Sequence, residues 1–176
     1  FTNNDAHRNG DWGFETTSAI EFTGNYCTGN GLGGSLPSGL CQEEQVGLVD
    51  TSQGMWHLRH SEDSGVSFFY GNPGDVPFLG DWDCDGNATP GLFRQSDAYA
   101  YLRNSNSQGI ADIRFFFGNP SDIPLAGDFN GDGCDTLSIY RPSEARFYIM
   151  NNLGENEGGL GAADYSFLFG NVGDKP

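Results

Sequence analysis

The stretch Gly80-Asp81-Trp82-Asp83-Cys84-Asp85-Gly86-Asn87-Ala88-Thr89 has a counterpart 47 positions later, Gly127-Asp128-Phe129-Asn130-Gly131-Asp132-Gly133-Cys134-Asp135-Thr136. Counted from the aspartate after the first glycine, both have oxygen-bearing side chains at positions 1, 3 and 5. Both also have glycine at position 6 and threonine at position 9. Short acidic side chains on alternate residues of a tight turn can point inward together, and the glycine permits the sharp turn. The spacing therefore predicts two loops that bind a hard cation.

The predicted ligands are all oxygen atoms. In the first loop they are the side chains of Asp81, Asp83, Asp85 and Thr89 and the backbone carbonyl of Asn87. In the second loop they are the side chains of Asp128, Asn130, Asp132 and Thr136 and the carbonyl of Cys134. The second loop has one carboxylate fewer, although Asp135 is close by, so we expect it to bind more weakly. Oxygen ligands favour calcium over zinc, and we expect about two structural calcium sites.

The same residues could also belong to an EF-hand or to acidic turns that bind no metal. An EF-hand starts with the same spacing but needs a glutamate at position 12 and flanking helices. Position 12 is Leu92 in one loop and Ile139 in the other, and the flanking residues are typical of β-strands. Asp, Asn and Gly also favour turns that bind no metal. Two loops in the same register, with carboxylates that would repel one another, favour the cation sites over plain acidic turns.

The composition predicts an all-β protein. The 176 residues include 27 glycines and 8 prolines, 14% of the residues are aromatic, and no long stretch has helical periodicity. These features are typical of short strands joined by many turns. The 24 acidic residues against 8 basic ones argue against a nucleic-acid partner. No apolar run is long enough to span a membrane.

Four cysteines allow three pairings. We favour Cys27–Cys41, which would close a short loop, and Cys84–Cys134, which would tie one cation loop to the next. Disulfides, calcium sites and a single lysine together predict a secreted protein, extracellular or at the cell surface. The chain begins with Phe1, which we interpret as a mature or trimmed form without its signal peptide. Asn87-Ala88-Thr89 is also a glycosylation sequon.

A repeat of about 47 residues with four short expected strands begins at Val46. The fourth strand, at 78–79 or 125–126, is present in the first two units, so the chain holds under three full repeats. The units are residues 46–88, 89–135 and 136–176, whereas residues 1–45 form an irregular segment, either a cap or a degenerate repeat. Four strands in such a period are typical of propeller blades. A propeller usually has about four to eight blades. We therefore expect an incomplete propeller that is a fragment, is completed by other copies, or stacks as an open array.

These residues resemble the FG-GAP/VCBS-type repeats, which include the calcium-binding blades of integrin α-subunit propellers. The resemblance covers residues 46–176 and is carried by the two Asp-rich loops, by the arginine after each following strand, and by the turns at 70–73 and 117–120. It implies a β-propeller with one calcium between the first strands of each blade, and a role in binding or adhesion. At position 9 this chain has threonine where the integrin-type loop has aspartate, which leaves the full coordination shell open.

No catalytic motif of the G-x-S-x-G or H-E-x-x-H type is present, and His7, His57 and His60 are scattered. We expect a non-catalytic, calcium-stabilised module that binds a protein or glycan on a cell surface or matrix, or that assembles with itself. One alternative is a carbohydrate-binding lectin in which Trp82 or Tyr101 stacks on a sugar ring. Another is an accessory region of a larger secreted hydrolase.

Overall fold

The computed structural model describes residues 5–7, 26–28, 46–59, 64–154 and 159–176. Throughout these ranges the chain forms strands, turns and bends, with no helix. The prediction of an all-β fold is therefore confirmed for this part of the chain. A helix long and apolar enough to cross a membrane is accordingly not found among the described residues.

The chain divides into two compact units, one with residues 1–45 and 85–87, the other with residues 46–84 and 88–176. In the first unit, strands β1 (Asp5–His7) and β2 (Tyr26–Thr28) pair in parallel, with Ala6 opposite Cys27. The predicted Cys27–Cys41 pairing lies outside the described residues.

The second unit contains the repeated strands. They are β3 (Val46–Asp50), β4 (Met55–Arg59), β5 (Gly65–Phe69), β6 (Val76–Gly80), β7 (Thr89–Arg94), β8 (Tyr99–Leu102), β9 (Ile113–Phe116), β10 (Ile123–Gly127), β11 (Thr136–Arg141), β12 (Arg146–Ile149), β13 (Gly159–Leu160) and β14 (Tyr165–Leu168). The first sheet has the order β3-β4-β5, the second β6-β7-β8-β9 and the third β10-β11-β12-β14, and neighbours within each are antiparallel. The short strand β13 adds to the second sheet, parallel to β9.

The cation loops lie within the sheets. The residues expected as short fourth strands belong to β6 and β10, which are five residues long and pair with β7 and β11. Each cation loop is thus the hairpin loop between the first two strands of one sheet. The unit boundaries drawn from the sequence, after residues 88 and 135, fall inside these hairpins. These boundaries follow from assigning the expected strands at 78–79 and 125–126 to the end of the preceding unit.

The same type of turn joins β3 to β4, β7 to β8 and β11 to β12. Asp50 pairs with Met55, and Arg94 pairs with Tyr99. Arg141 pairs with Arg146 in the same way. The residue that ends each turn has a positive φ, and this residue is Gly54, Ala98 or Ala145. Asp50, Arg94 and Arg141 therefore occupy one structural position in three sheets.

Aromatic and aliphatic side chains fill the space between neighbouring sheets. One cluster contains Trp56, Leu58, Phe68, Tyr70 and Leu92, from the first and second sheets. A second cluster contains Trp82, Ala100, Leu102, Phe115, Phe117, Leu137, Ile139 and Met150, from the second and third sheets. Since neither face of a single sheet can be buried alone, this packing makes each sheet depend on its neighbour. The aromatic side chains in these two clusters thus form the core between sheets.

The first strands of the second and third sheets, β6 and β10, also contact each other. The described sheets do not close into a ring. What the structure shows is thus an all-β stack of three small sheets.

Candidate metal centre and sheet junctions

The first loop brings three carboxylates together. One ligand atom from each of Asp81, Asp83 and Asp85 lies within 4.8 Å of the others. Asp81 is buried, whereas Asp83 and Asp85 are exposed. Cys84 and Gly86 both have positive φ, 63° and 86°, and these two residues turn the acidic side chains towards one another. This cluster could hold a metal ion.

The other predicted ligands of the first loop close the hairpin. The backbone N–H of Asn87 donates to Asp85 Oδ1 at 2.9 Å. Thr89 is buried, and its hydroxyl donates to the carbonyl oxygen of Gly80 at 3.2 Å, across the last pair of the β6–β7 ladder. Thr89 thus has a structural contact at the base of the loop, which a sequence pattern of ligand positions does not reveal.

Trp82 is buried beneath the first loop. Its indole N–H donates to the carbonyl oxygen of Thr89 at 3.2 Å, and its ring packs edge-on against Phe78. The ring also contacts Gly80, where a β-carbon would collide with it. The idea that Trp82 offers a platform for a sugar ring is therefore wrong, because the ring already packs in the core.

The second loop is closed by its own hydrogen bonds. Asp128 accepts the backbone N–H groups of Gly131 at 2.7 Å and Gly133 at 2.9 Å. The Asn130 amide donates to Asp132 Oδ2 at 2.8 Å, and the Cys134 N–H donates to Asp132 Oδ1 at 2.9 Å. With two carboxylates at ligand positions, both already accepting hydrogen bonds, this loop offers a cation less charge than the first loop.

The hydroxyl of Thr136, at position 9 of the second loop, donates to the carbonyl oxygen of Met150 at 2.6 Å. This contact ties the hairpin to the end of β12. Thr136 thus has a structural contact similar in kind to that of Thr89.

The two loops are joined to each other. Cys84 and Cys134 form a disulfide with their Cα atoms 4.7 Å apart, which is the pairing favoured from the sequence. The Asp81 N–H donates to Asp135 Oδ2 at 2.9 Å, and the Asp135 N–H donates to the Asp81 carbonyl at 2.9 Å. Burial raises the pKa of Asp135, the hydrogen bond from Asp81 opposes this, and the charges of Asp81 and Asp128 add to the increase. The first loop is therefore fastened to the hairpin of the next sheet by one covalent bond and two hydrogen bonds.

A second repeated feature is a pair of an aspartate and an arginine where one sheet follows another. Sequence reasoning noted the arginines but not the aspartates. Arg94 binds Asp75 through two hydrogen bonds, of 2.9 and 2.8 Å. Arg141 binds Asp122 through two of the same lengths. Both aspartates are buried, and both arginines lie over a tyrosine ring, at 4.4 and 4.6 Å from its centre. These hydrogen bonds raise the pKa of both arginines further.

The signal for these pairs was present in the sequence. The aspartates and the arginines each recur at the 47-residue spacing of the loops. Each aspartate belongs to the turn after one sheet, and each arginine ends the second strand of the following sheet. The repeat could have marked both residues, but only the fold shows that they bind each other.

An open cleft of about 830 Å³ adjoins the first junction. Tyr101, Arg114 and Asp112 are among the residues that line it. The Tyr70 hydroxyl in its wall is buried without a hydrogen-bond partner among the described residues, and this burial raises the pKa of Tyr70. Arg94 covers one face of the Tyr101 ring, so a sugar has access to at most the other face.

Of the histidines noted in the sequence, only the side chain of His57 lies within the described part. His57 is exposed on β4, and its Nδ1 shares a hydrogen bond of 2.8 Å with the Ser67 hydroxyl. Comparisons of the chain with models of known families, with curated proteins and with solved structures gave no match. The arguments about function below are therefore drawn from the residues and their geometry.

Proposed function

We propose that this chain is an extracellular, calcium-stabilised module of FG-GAP/VCBS-type repeats that acts by binding or assembly, without catalysis. The observation that supports it most directly is the convergence of Asp81, Asp83 and Asp85 at the tip of the β6–β7 hairpin. Like charges this close repel one another, and a divalent cation removes that repulsion. The four-stranded sheets that pack in sequence support a propeller-like arrangement of repeats.

In this proposal, calcium has a structural role at a junction. The first loop is connected to the hairpin of the third sheet by the Cys84–Cys134 disulfide and by the two hydrogen bonds between Asp81 and Asp135. A cation that fixes the first loop therefore also stabilises the packing of the second sheet on the third. The disulfide is compatible with an oxidising, extracellular environment.

The test is thermal unfolding in calcium and in EGTA, for the wild type and for Asp83→Ala. With calcium at about 100 times its Kd, binding stabilises the fold by about 2.7 kcal/mol, which is roughly 5–10 °C for a chain of this size. We expect Asp83→Ala to lose most of this calcium-dependent increase in Tm and to match the wild type in EGTA.

Asp97→Ala is the matched control, since Asp97 is an exposed aspartate in the turn between β7 and β8. Its substitution removes the same charge and should change Tm equally in both buffers. The proposal would be refuted if Asp83→Ala behaved like this control, or if calcium did not stabilise the wild type.

A second candidate function is glycan binding in the cleft beside Tyr101 and Arg114. Its volume of about 830 Å³ and its mixed polar and aromatic lining are features of small-molecule sites. A glycan array probed with the wild type and with Arg114→Ala tests it. Ligands that the wild type binds and the variant does not would support a lectin. An array without hits, or hits that both proteins share, would contradict it.

A further inference from the structure

The last sheet has an exposed, mainly apolar surface, here called the terminal face. It consists of Phe167, Phe169, Val172 and Asp174. The exposed fractions of the three apolar side chains are 43%, 70% and 72%. An apolar surface of this kind on a folded protein commonly marks an interaction site. Phe167 belongs to strand β14, which lies at the edge of the third sheet, and the other three residues follow this strand.

The same positions in the other two sheets are covered. Phe68 and Phe115 correspond to Phe167, since each pairs with the central strand at the same register. Tyr70 and Phe117 correspond to Phe169. All four counterparts are buried, with at most 6% of each exposed, in the clusters between sheets. The terminal face is therefore the part of the repeat that a following sheet covers at the two internal junctions.

Each internal junction has an apolar half and a charged half. In the apolar half, Leu92 and Ile139 lie against Gly71 and Gly118, where a β-carbon would be 2.6 and 2.8 Å from the aliphatic side chain. In the charged half, the aspartate of the turn directly precedes the first strand of the following sheet, and it binds the arginine opposite it, two residues after the aliphatic one. The following sheet thus supplies an aliphatic residue and an arginine from its second strand.

The terminal face has the receiving half of such a junction already formed. The Asn171 N–H donates to Asp174 Oδ2 at 2.8 Å, as Asn72 does to Asp75 and Asn119 to Asp122, at 2.9 and 2.8 Å. Phe167 stacks on Phe147 with ring centres 5.3 Å apart. Within the described residues no arginine is paired with Asp174. The terminal face thus has the aspartate and the aromatic side chains of a junction. A docked sheet would supply the arginine and the aliphatic side chain.

We propose that the terminal face docks a further β-sheet of the same repeat type, whose second strand presents an aliphatic residue and, two residues later, an arginine. The arginine binds Asp174, and the aliphatic side chain packs on Gly170 and Phe169. This inference specifies the partner for the assembly role proposed above and rests on it, but it does not depend on calcium binding to the first loop.

An unaltered second copy of the chain fits this surface poorly. Strand β3 offers Leu48, which is 71% exposed and occupies the position of Leu92 and Ile139. At the position of the arginine, however, β3 has Asp50. Docking of β3 on the terminal face would set Asp50 against Asp174, and like charges facing each other in an interface are unfavourable. Charge complementarity therefore selects a sheet that carries arginine.

A charge-exchange experiment with the full chain tests the proposal. Four proteins are compared in calcium by sedimentation velocity up to about 100 µM: the wild type, Asp50→Arg, Asp174→Arg and the double variant. Arginine fits at position 50, because the equivalent positions in the other sheets carry it, and Asp174 is exposed. Asp50→Arg gives β3 the arginine of the proposed partner strand, which can then bind Asp174 of another copy. Asp174→Arg reverses the arrangement, since the new arginine can bind Asp50 of another copy.

We expect the wild type and the double variant to sediment as monomers of 19.0 kDa and both single variants to self-associate, at least about tenfold more tightly. Adding Phe169→Ser to Asp50→Arg should abolish the association. Folded single variants that remain monomeric would overturn the proposal. Wild-type oligomers that Phe169→Ser dissociates would also overturn it, since an unaltered copy would then be the partner. Loss of calcium stabilisation with this pattern intact would refute the calcium site alone.

Discussion

The pairing of Asp122 with Arg141 predicts that substitutions of Asp122 and Asp174, two aspartates in the same type of turn, differ greatly in their effect on stability. The Asp122 side chain is 3% exposed and binds Arg141, which is 17% exposed. Asp174 accepts the same turn hydrogen bond but is exposed. Replacing either with asparagine keeps the shape and one acceptor oxygen. Only Asp122→Asn leaves a partly buried guanidinium facing an amide N–H₂ group in place of a carboxylate oxygen.

The expected magnitude follows from these surroundings. Breaking a buried ion pair by removing one partner costs about 3–5 kcal/mol. Arg141 keeps contacts with Glu144 and Tyr148, at 3.4 and 3.1 Å, and asparagine retains one acceptor. We therefore expect Asp122→Asn to reduce the free energy of unfolding by about 2–3 kcal/mol. This corresponds to a decrease in Tm of roughly 5–10 °C. Asp174→Asn should change stability by less than about 0.5 kcal/mol.

Chemical denaturation of the three proteins, wild type and two variants, checks the prediction, with calcium held constant. Asp75→Asn serves as a second test and should resemble Asp122→Asn with a slightly smaller loss, because Arg94 is 25% exposed. Equal losses for Asp122→Asn and Asp174→Asn would refute the reasoning. Such a result would show that the turn hydrogen bond carries the stability and that the arginine pair adds nothing.

Three further predictions concern the core, the disulfide and the second loop. Ile139→Ala should reduce the free energy of unfolding in urea by about 2–5 kcal/mol, because Ile139 is buried. Leu48→Ala, at the equivalent but exposed position, should reduce it by under about 0.5 kcal/mol. Similar losses for the two variants would contradict the packing of Ile139 between sheets. Replacing Cys84 and Cys134 by serine opens a link between residues 50 positions apart and should cost up to about 4 kcal/mol; an unchanged Tm under non-reducing conditions would contradict this. Asp132→Ala should reduce the calcium-dependent increase in Tm less than Asp83→Ala does, because the second loop is closed by its own hydrogen bonds. Isothermal titration calorimetry with calcium tests the same difference.

The pairs of arginine and aspartate also fasten the turn after one sheet to the hairpin that begins the next. The aspartate of each pair is in the turn after one sheet, and the arginine is in the second strand of the next. Two charged hydrogen bonds between planar groups permit little sliding. Each pair extends the ladder between the first two strands of its sheet and so fixes the turn from the preceding sheet to that hairpin.

Much of this architecture was determined by the sequence alone. The 47-residue spacing and the alternation of turns and aromatic strands predicted an all-β repeat, because the period of side chains along a strand and the need for turns at fixed intervals are local properties. The convergence of Asp81, Asp83 and Asp85 was also predictable, since a glycine-containing turn brings alternate residues of a short loop together.

Three features were decided by tertiary structure. The cation loops are hairpin loops within a sheet because Val76–Gly80 pairs with the strand that follows it, β7. The sequence leaves open whether this strand pairs with β7 or with the preceding strand, β5. Trp82 is buried because its own hairpin packs on the next sheet. Asp75 and Asp122 bind arginines 19 residues further along the chain, which the pairing of β6 with β7 and of β10 with β11 brings opposite them. A sequence pattern records which residues recur, but the free energy of burying two charges depends on what surrounds them, and that is set by the whole fold.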